Sequence, residues 1–269
     1  MSLPPIVDFV HSRLAKLANS DDARDMAAYM KTTQPFYGTQ TPARLPVFKE
    51  MCEVHAPKDG SAYRSGVLAL WDAGLHGGEG EGEGWPPPPK REKDSGKPPQ
   101  ARRDSKMTPP VYEGPRELLY ASCYFAEEFT EHLTTAHLPL LKRLIVEGGW
   151  WDIVDWVGGK MVGHIVRTQR GAAAAVMRKW LEDDDLWVRR SAIICQLSHK
   201  EETDEKMLFD FCLSRAEEED FFIRKAIGWS LREYAWTEPE TVKKFLKAHG
   251  KKFAPLTVRE AGKNIGVKP

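Results

Sequence analysis

Apolar residues recur at three- and four-residue spacing through most of this chain, in "RELLYASCYFAEEF", "LPLLKRLIVEGG", "AAAAVMRKWLEDDD" and "EKMLFDFCLSRAEEED". That period puts each apolar set on one face of an α-helix. Alternating strand-like patterns are nearly absent. "TPARLPVFKEMCEV" offers Thr41 as an N-cap with Pro42 at the first helical position. In "TEPETVKKFLKAHG", Thr237 and Glu240 read as a capping box, and Gly250 as the stop. The pattern predicts an all-α chain of roughly a dozen helices joined by short turns.

The pattern also repeats. "DLWVRRSAI" begins at Asp185 and "DFFIRKAIG" at Asp220, 35 residues later. Each reads aspartate, two bulky apolar residues, a β-branched residue, arginine and a second cation. One further step of 35 toward the N-terminus lands on Trp150 and "WWDIVDWVG", where the bulky and β-branched positions match and the charges differ. A helical period of that length predicts an α-solenoid of HEAT-like repeats, stacked helix pairs with a concave surface. Residues 1–73 read as N-terminal repeats and 113–269 as the repeats carrying any chemistry, together one continuous domain. Between them, residues 74–112 break the pattern. Gly-Glu repeats, a four-proline run and a mixed-charge tract suit a disordered insertion, and its basic second half is able to brush phosphates.

The period makes a geometric claim. Asp155, Arg190 and Lys225 share one register position, so a carboxylate and two cations should form a row along one surface. Trp151 precedes Asp155 by four residues and Trp229 follows Lys225 by four, each one helical turn away on the same face. Cations for phosphates and flat rings for sugars or bases suit nucleic acid. The same residues also suit a bland reading, with both tryptophans in the core and Arg190 as a packing arginine.

Composition sharpens this only in places. No run of about 18 apolar residues occurs, and the N-terminus lacks the charged and apolar regions of a signal peptide, so an intracellular protein outside the membrane is expected. Cys52, Cys123, Cys195 and Cys212 lie singly in apolar helical runs and read as buried, reduced thiols. The 8 histidines show no ligand spacing, so neither a metal nor another cofactor is expected. The formal net charge of zero runs against nucleic-acid binding unless charge is segregated, with acidic runs such as Glu182 to Asp185 and Glu217 to Asp220 turned away from the ligand.

Four segments, "YMKTTQPFYGTQTPARLP", "WWDIVDWVG", "LWVRRSAIICQLSHK" and "FFIRKAIGWSLREYAWTEPETV", together resemble the bacterial DNA alkylation repair glycosylases of the HEAT-like repeat, AlkD type. The resemblance spans nearly the whole chain apart from the insertion. It implies double-stranded DNA with alkylated bases as partner, a monomer, and removal of cationic bases such as 7-methylguanine or 3-methyladenine. Under it Asp155 matches the catalytic aspartate. Trp151 and Trp229 match aromatics that pack on the sugar–phosphate backbone beside the lesion without enclosing the base. Arg190 matches an arginine on the DNA backbone and Tyr29 an N-terminal tyrosine near the DNA. Lys225 joins the DNA-binding set by register alone. The rival expectations are a non-catalytic HEAT-like module that binds DNA or protein, and an enzyme acting on a different lesion such as 3-methylcytosine.

Overall fold

The computed structural model describes residues 3–77 and 109–268, and every regular element among them is helical. The chain divides into two compact units, residues 1–132 and 133–269. Its architecture is the all-α helical-repeat fold that the spacing predicts.

The first unit holds α1 (Pro5–Lys16), α2 (Ser20–Met30), α3 (Thr41–Val54), α4 (Gly60–His76) and α5 (Arg116–Glu128). Helix α4 runs through Gly74 to His76, the first three residues of the stretch read as an insertion. Residues 78–108 of that stretch lie outside the described residues. On its far side the chain returns to where it left: the Glu113 N–H donates to the Leu75 carbonyl at 3.0 Å. The stretch read as an insertion therefore lies between the two helices of a hairpin, and α5, expected among the C-terminal repeats, packs against α4 in the first unit. Thr41, expected as the cap, is the first residue of α3 and Gln40 is the cap, so the helix starts one position earlier than expected.

The segment joining α2 to α3 is fixed by α5. Glu117, fully buried, accepts the backbone N–H groups of Tyr37, Gly38 and Thr39 at 3.1, 2.9 and 3.1 Å. Next to it Arg116, also fully buried, donates to the Gln34 side chain at 2.9 Å, and Gln34 donates to the carbonyls of Gly74 and Gly114. Gly38 has φ +79°, and a Cβ there would sit 1.9 Å from the Asn19 carbonyl oxygen, so the turn admits only glycine.

The second unit is built from α6 (Leu138–Gly148), a rod of α7 (Trp151–Trp156), a π-turn (Val157–Val162) and α8 (Gly163–Thr168), then α9 (Arg170–Leu181), α10 (Leu186–Ile194), α11 (Glu205–Ser214), α12 (Phe221–Tyr234), α13 (Pro239–His249) and α14 (Pro255–Ala261). Helices α7, α10, α12 and α14 pack in series, while α9, α11 and α13 each pack beside this series. The repeated aspartates are N-caps. Asp185 accepts from the N–H groups of Trp187 and Val188, and Asp220 from that of Phe222. Each repeat thus starts a helix at the same register, and this is what aligns positions 35 residues apart. The expected Thr237–Glu240 box does not form. Pro239 sets the first turn of α13, and Thr237 instead belongs to the turn closing α12, its N–H bonded to the Tyr234 carbonyl at 3.0 Å. Helix α13 does stop at Gly250, which passes into a short 3-10 turn.

All four cysteines are reduced and buried, and burial pushes the thiols of Cys52 and Cys195 up to about 12, too high for reactivity near neutral pH.

Candidate active site

The tandem tryptophans at the start of α7 have different fates. Trp150 is 2 % exposed and packs edge-on against Trp187 and Phe222 at centroid distances of 5.8 and 5.4 Å. This aromatic floor joins α7, α10 and α12, and its burial stabilises the series by roughly 1.5–3 kcal/mol per large side chain. Trp151, the next residue, is half-buried, as is Asp155 one turn later. The floor thereby fixes which way α7 faces.

The π-turn follows directly. Turns of this kind widen a helix by one residue and recur at functional sites. Here its opening lets Gly158 lie against α10: a Cβ on Gly158 would sit 3.0 Å from the Ser191 hydroxyl and 3.1 Å from its Cα. That close approach brings Asp155 to Arg190. The guanidinium donates through Nε to Oδ1 at 2.7 Å and through Nη2 to Oδ2 at 2.8 Å, a bidentate pair. Its Nη1 donates to the Phe222 carbonyl at 2.6 Å, which ties the pair to α12. The Arg190 side chain is 6 % exposed and that of Asp155 is 17 %.

The row extends one step beyond the sequence reading. Lys225 donates to Glu260 on α14 at 2.5 Å, and these two are again 35 residues apart. Arg232 also binds Glu260, and Lys263 donates to both of its oxygens at 2.9 Å. The Glu260 side chain is 5 % exposed, while those of Lys225, Arg232 and Lys263 are 30, 22 and 51 % exposed. Burial lowers the Lys225 ammonium to about 8, and the neighbouring charges of Lys263, Arg232, Arg190 and Arg259 push the same way.

The structure thus brings Asp155, Arg190 and Lys225 into one series of helices, with Trp151 and Trp229 half-buried alongside. It gives Arg190 a different neighbour from the expected phosphate: the guanidinium is spent on Asp155 and a carbonyl. Tyr29 belongs to the first unit, near the end of α2, and is 52 % exposed.

Sequence reading missed three participants. Glu260 was reachable by stepping the register forward once more. Glu233, four residues after Trp229, accepts its indole N–H at 2.9 Å and so orients the ring. The π-turn had only "VGG" as its trace. Five of the eight residues in the two acidic runs are engaged within the second unit. Asp183 pairs with Lys142 at 2.5 Å, Glu182 with Arg215, and Glu218 with Arg189 at 2.9 Å, while Asp185 and Asp220 cap helices. A cavity of about 540 Å³ shares Glu233 in its wall, but Asp155, Trp151 and Trp229 line no part of it.

These features define a helical-repeat protein whose successive helices carry a charged row flanked by half-buried indoles. The chain belongs to the DNA alkylation repair enzyme family, whose model matches residues 10–78 and 111–265. The unmatched gap falls within the stretch expected to be an insertion. Among solved structures, the chain is similar to one described as a predicted DNA alkylation repair enzyme from Enterococcus faecalis, with 24 % identity, 91 % of this chain and 95 % of that chain covered, and a TM-score of 0.68. That likeness shows the shared fold. A search of curated proteins gave no match. No helix among the described residues is long and apolar enough to cross a membrane.

Proposed function

We propose that the protein is a DNA glycosylase that releases cationic alkylated purines, such as 7-methylguanine or 3-methyladenine, from duplex DNA, with Asp155 as the catalytic carboxylate. The observation that carries this reading is the Asp155 side chain, 17 % exposed, held by a bidentate arginine one turn from the half-buried Trp151.

An N7- or N3-alkylated purine already carries a positive charge. When its C1′–N bond breaks, the bonding electrons leave with the base and neutralise it, so the reaction needs no strong general acid. The positive charge moves to the sugar as an oxocarbenium-like centre. Asp155 stabilises that centre and orients the water that attacks C1′; the water's proton passes to the carboxylate and on to solvent. A carboxylate about 4 Å from a unit positive charge gains roughly 4 kcal/mol at an effective dielectric near 20. That corresponds to about 10³ in rate, and the Arg190 charge takes part of it back. Arg190 fixes where the Asp155 charge sits, and a cationic leaving group asks for charge more than for basicity. Trp151 and Trp229 supply flat surfaces for deoxyribose, and the base needs no enclosing pocket.

Asp155→Asn tests this directly. Release of 7-methylguanine from methylated duplex should fall by about 10²–10³ per folded molecule with duplex affinity close to wild type, while Tm falls because the nearly sealed Arg190 loses its charged partner. Full release by the variant removes Asp155 from the mechanism. No release by the wild type, with duplex binding intact, leaves the binding-only module in which the Asp155–Arg190 pair merely fastens α7 to α10.

A further inference from the structure

Three cations converge on one buried carboxylate at the end of the charged row. Glu260 receives Lys225 from the preceding repeat, Arg232 from further along α12 and Lys263 from the turn after α14. The surroundings do not balance this excess. Arg190 and Arg259 act on Lys225 as well, and among the described residues the carboxylates paired with these cations are Asp155, Glu233 (3.7 Å from Arg232) and Glu260 itself. Five cations face three carboxylates, in a chain whose formal net charge is zero.

Such an arrangement costs free energy in the isolated protein. A fold that needed only an ion pair to fasten α12 to α14 would use one cation, because each added one repels the others at low local dielectric. An anion arriving on the exposed edges of these side chains would relieve the repulsion. The three are 22–51 % exposed, whereas Glu260 beneath them is nearly sealed. The carboxylate thus points the cations outward from a fixed root. Lys225 and Arg232 also flank Trp229, four residues before it and three after it, on the same helix.

We propose that Lys225, Arg232 and Lys263, gathered on Glu260, form a clamp for a DNA backbone phosphate beside the sugar that packs on Trp229. This deepens the glycosylase reading and rests on its claim that duplex DNA is the ligand. The clamp supplies affinity, and the Asp155–Arg190 pair supplies the chemistry.

The proposal separates two kinds of cation in the row: Arg190, committed to Asp155, and Lys225, available to phosphate. It also carries a proton signature. A phosphate on Lys225 favours its charged form, so binding takes up a proton where the free protein's ammonium titrates, near 8. Raising the pH from 7 to 9 should therefore weaken duplex binding by up to about tenfold.

The test is fluorescence anisotropy of an unmodified DNA duplex, titrated with the full chain over a range of salt and pH. Lys225→Gln and Lys263→Gln should each weaken duplex binding and lower the salt-dependence slope by a fraction of the about 0.9 that one phosphate contact releases, and the double variant should lower it by most of that amount. Lys263, 51 % exposed, is the variant least able to disturb the fold. Lys225→Arg should restore the slope but flatten the pH profile, because arginine stays charged. Lys252→Gln, an exposed cation outside the cluster, should leave both unchanged. If the wild type binds duplex and neither Gln variant alters the slope, the clamp falls and the glycosylase reading stands. If the wild type binds no duplex at any salt, both fall together.

Discussion

Glu117 in the first unit and Asp155 in the second are both carboxylates withdrawn from water, and their donors set them apart. Glu117 is fully buried and surrounded by neutral donors, three backbone N–H groups and the Thr39 hydroxyl at 3.4 Å. Burial drives its carboxyl above the usual glutamate range, and the N–H donors offset only part of that rise. Every donor belongs to the α2–α3 segment that Glu117 holds, so the group is consumed by the fold. Asp155 has one charged donor and keeps 17 % of its side chain open to a ligand. A carboxylate closed over by backbone fastens a loop. One fixed by a single arginine from a neighbouring helix keeps an open edge, and so can act on something outside the protein.

The largest effect that sharpens this contrast is expected at Glu117→Ala. The change strands three buried N–H groups, each costing about 1–3 kcal/mol and not fully additive. A net loss of about 3 kcal/mol or more would take a large part of a typical stability of about 5–15 kcal/mol and lower Tm by roughly 10 °C. Base release per folded molecule should not change. If thermal unfolding hardly moves and release drops instead, Glu117 has a functional role and the contrast is wrong.

A smaller effect is expected at Arg190→Lys. An ammonium cannot reproduce the fork to both Asp155 oxygens together with the bond to the Phe222 carbonyl. Asp155 keeps a cation nearby but loses its fixed orientation. Release of 7-methylguanine should fall by about tenfold, which is about 1.4 kcal/mol of barrier, while Tm falls by only a few degrees. A variant that loses stability but no rate would put Asp155 in the same class as Glu117.

The contrast also explains which parts of the molecule could be read from sequence. The repeat was legible because its markers act locally: Asp185 and Asp220 each cap the helix they precede, and apolar spacing does the rest. The row was legible because register in a stacked repeat is geometry. What became of the row was not, because pairing depends on side-chain reach across helices. Arg190 turns toward Asp155 because the π-turn lets α7 close on α10, and "VGG" alone does not announce a π-turn. The Glu117 knot was invisible for a related reason. Its partners lie about 80 positions earlier in the chain, outside any local pattern. The unit boundary after residue 132 was hidden too, because the composition breaks at the insertion, inside the α4–α5 hairpin.

The finest test of this argument is Gly158→Ala, which alters no charged group. In a helical segment the change gains up to about 1 kcal/mol of propensity. Against that stands the contact with α10, where the new Cβ would lie 3.0–3.1 Å from the hydroxyl, Cβ and Cα of Ser191. Such contacts are relieved when the helices separate by a few tenths of an ångström, so the two terms nearly cancel and Tm should move by no more than a few degrees. The separation is not neutral for the site. Asp155 rides on the rod that contains the π-turn and Arg190 on the helix pushed away, so their 2.7 and 2.8 Å bonds must lengthen or tilt. Misplacement on this scale should cost a few-fold in base release, with the salt slope of duplex binding unchanged because the cations on Glu260 belong to α12 and the turn after α14. A Gly158→Ala protein with wild-type release would mean that the tightness of the π-turn serves packing alone. Asp155 would then owe its position to Arg190 and not to the closeness of the two helices.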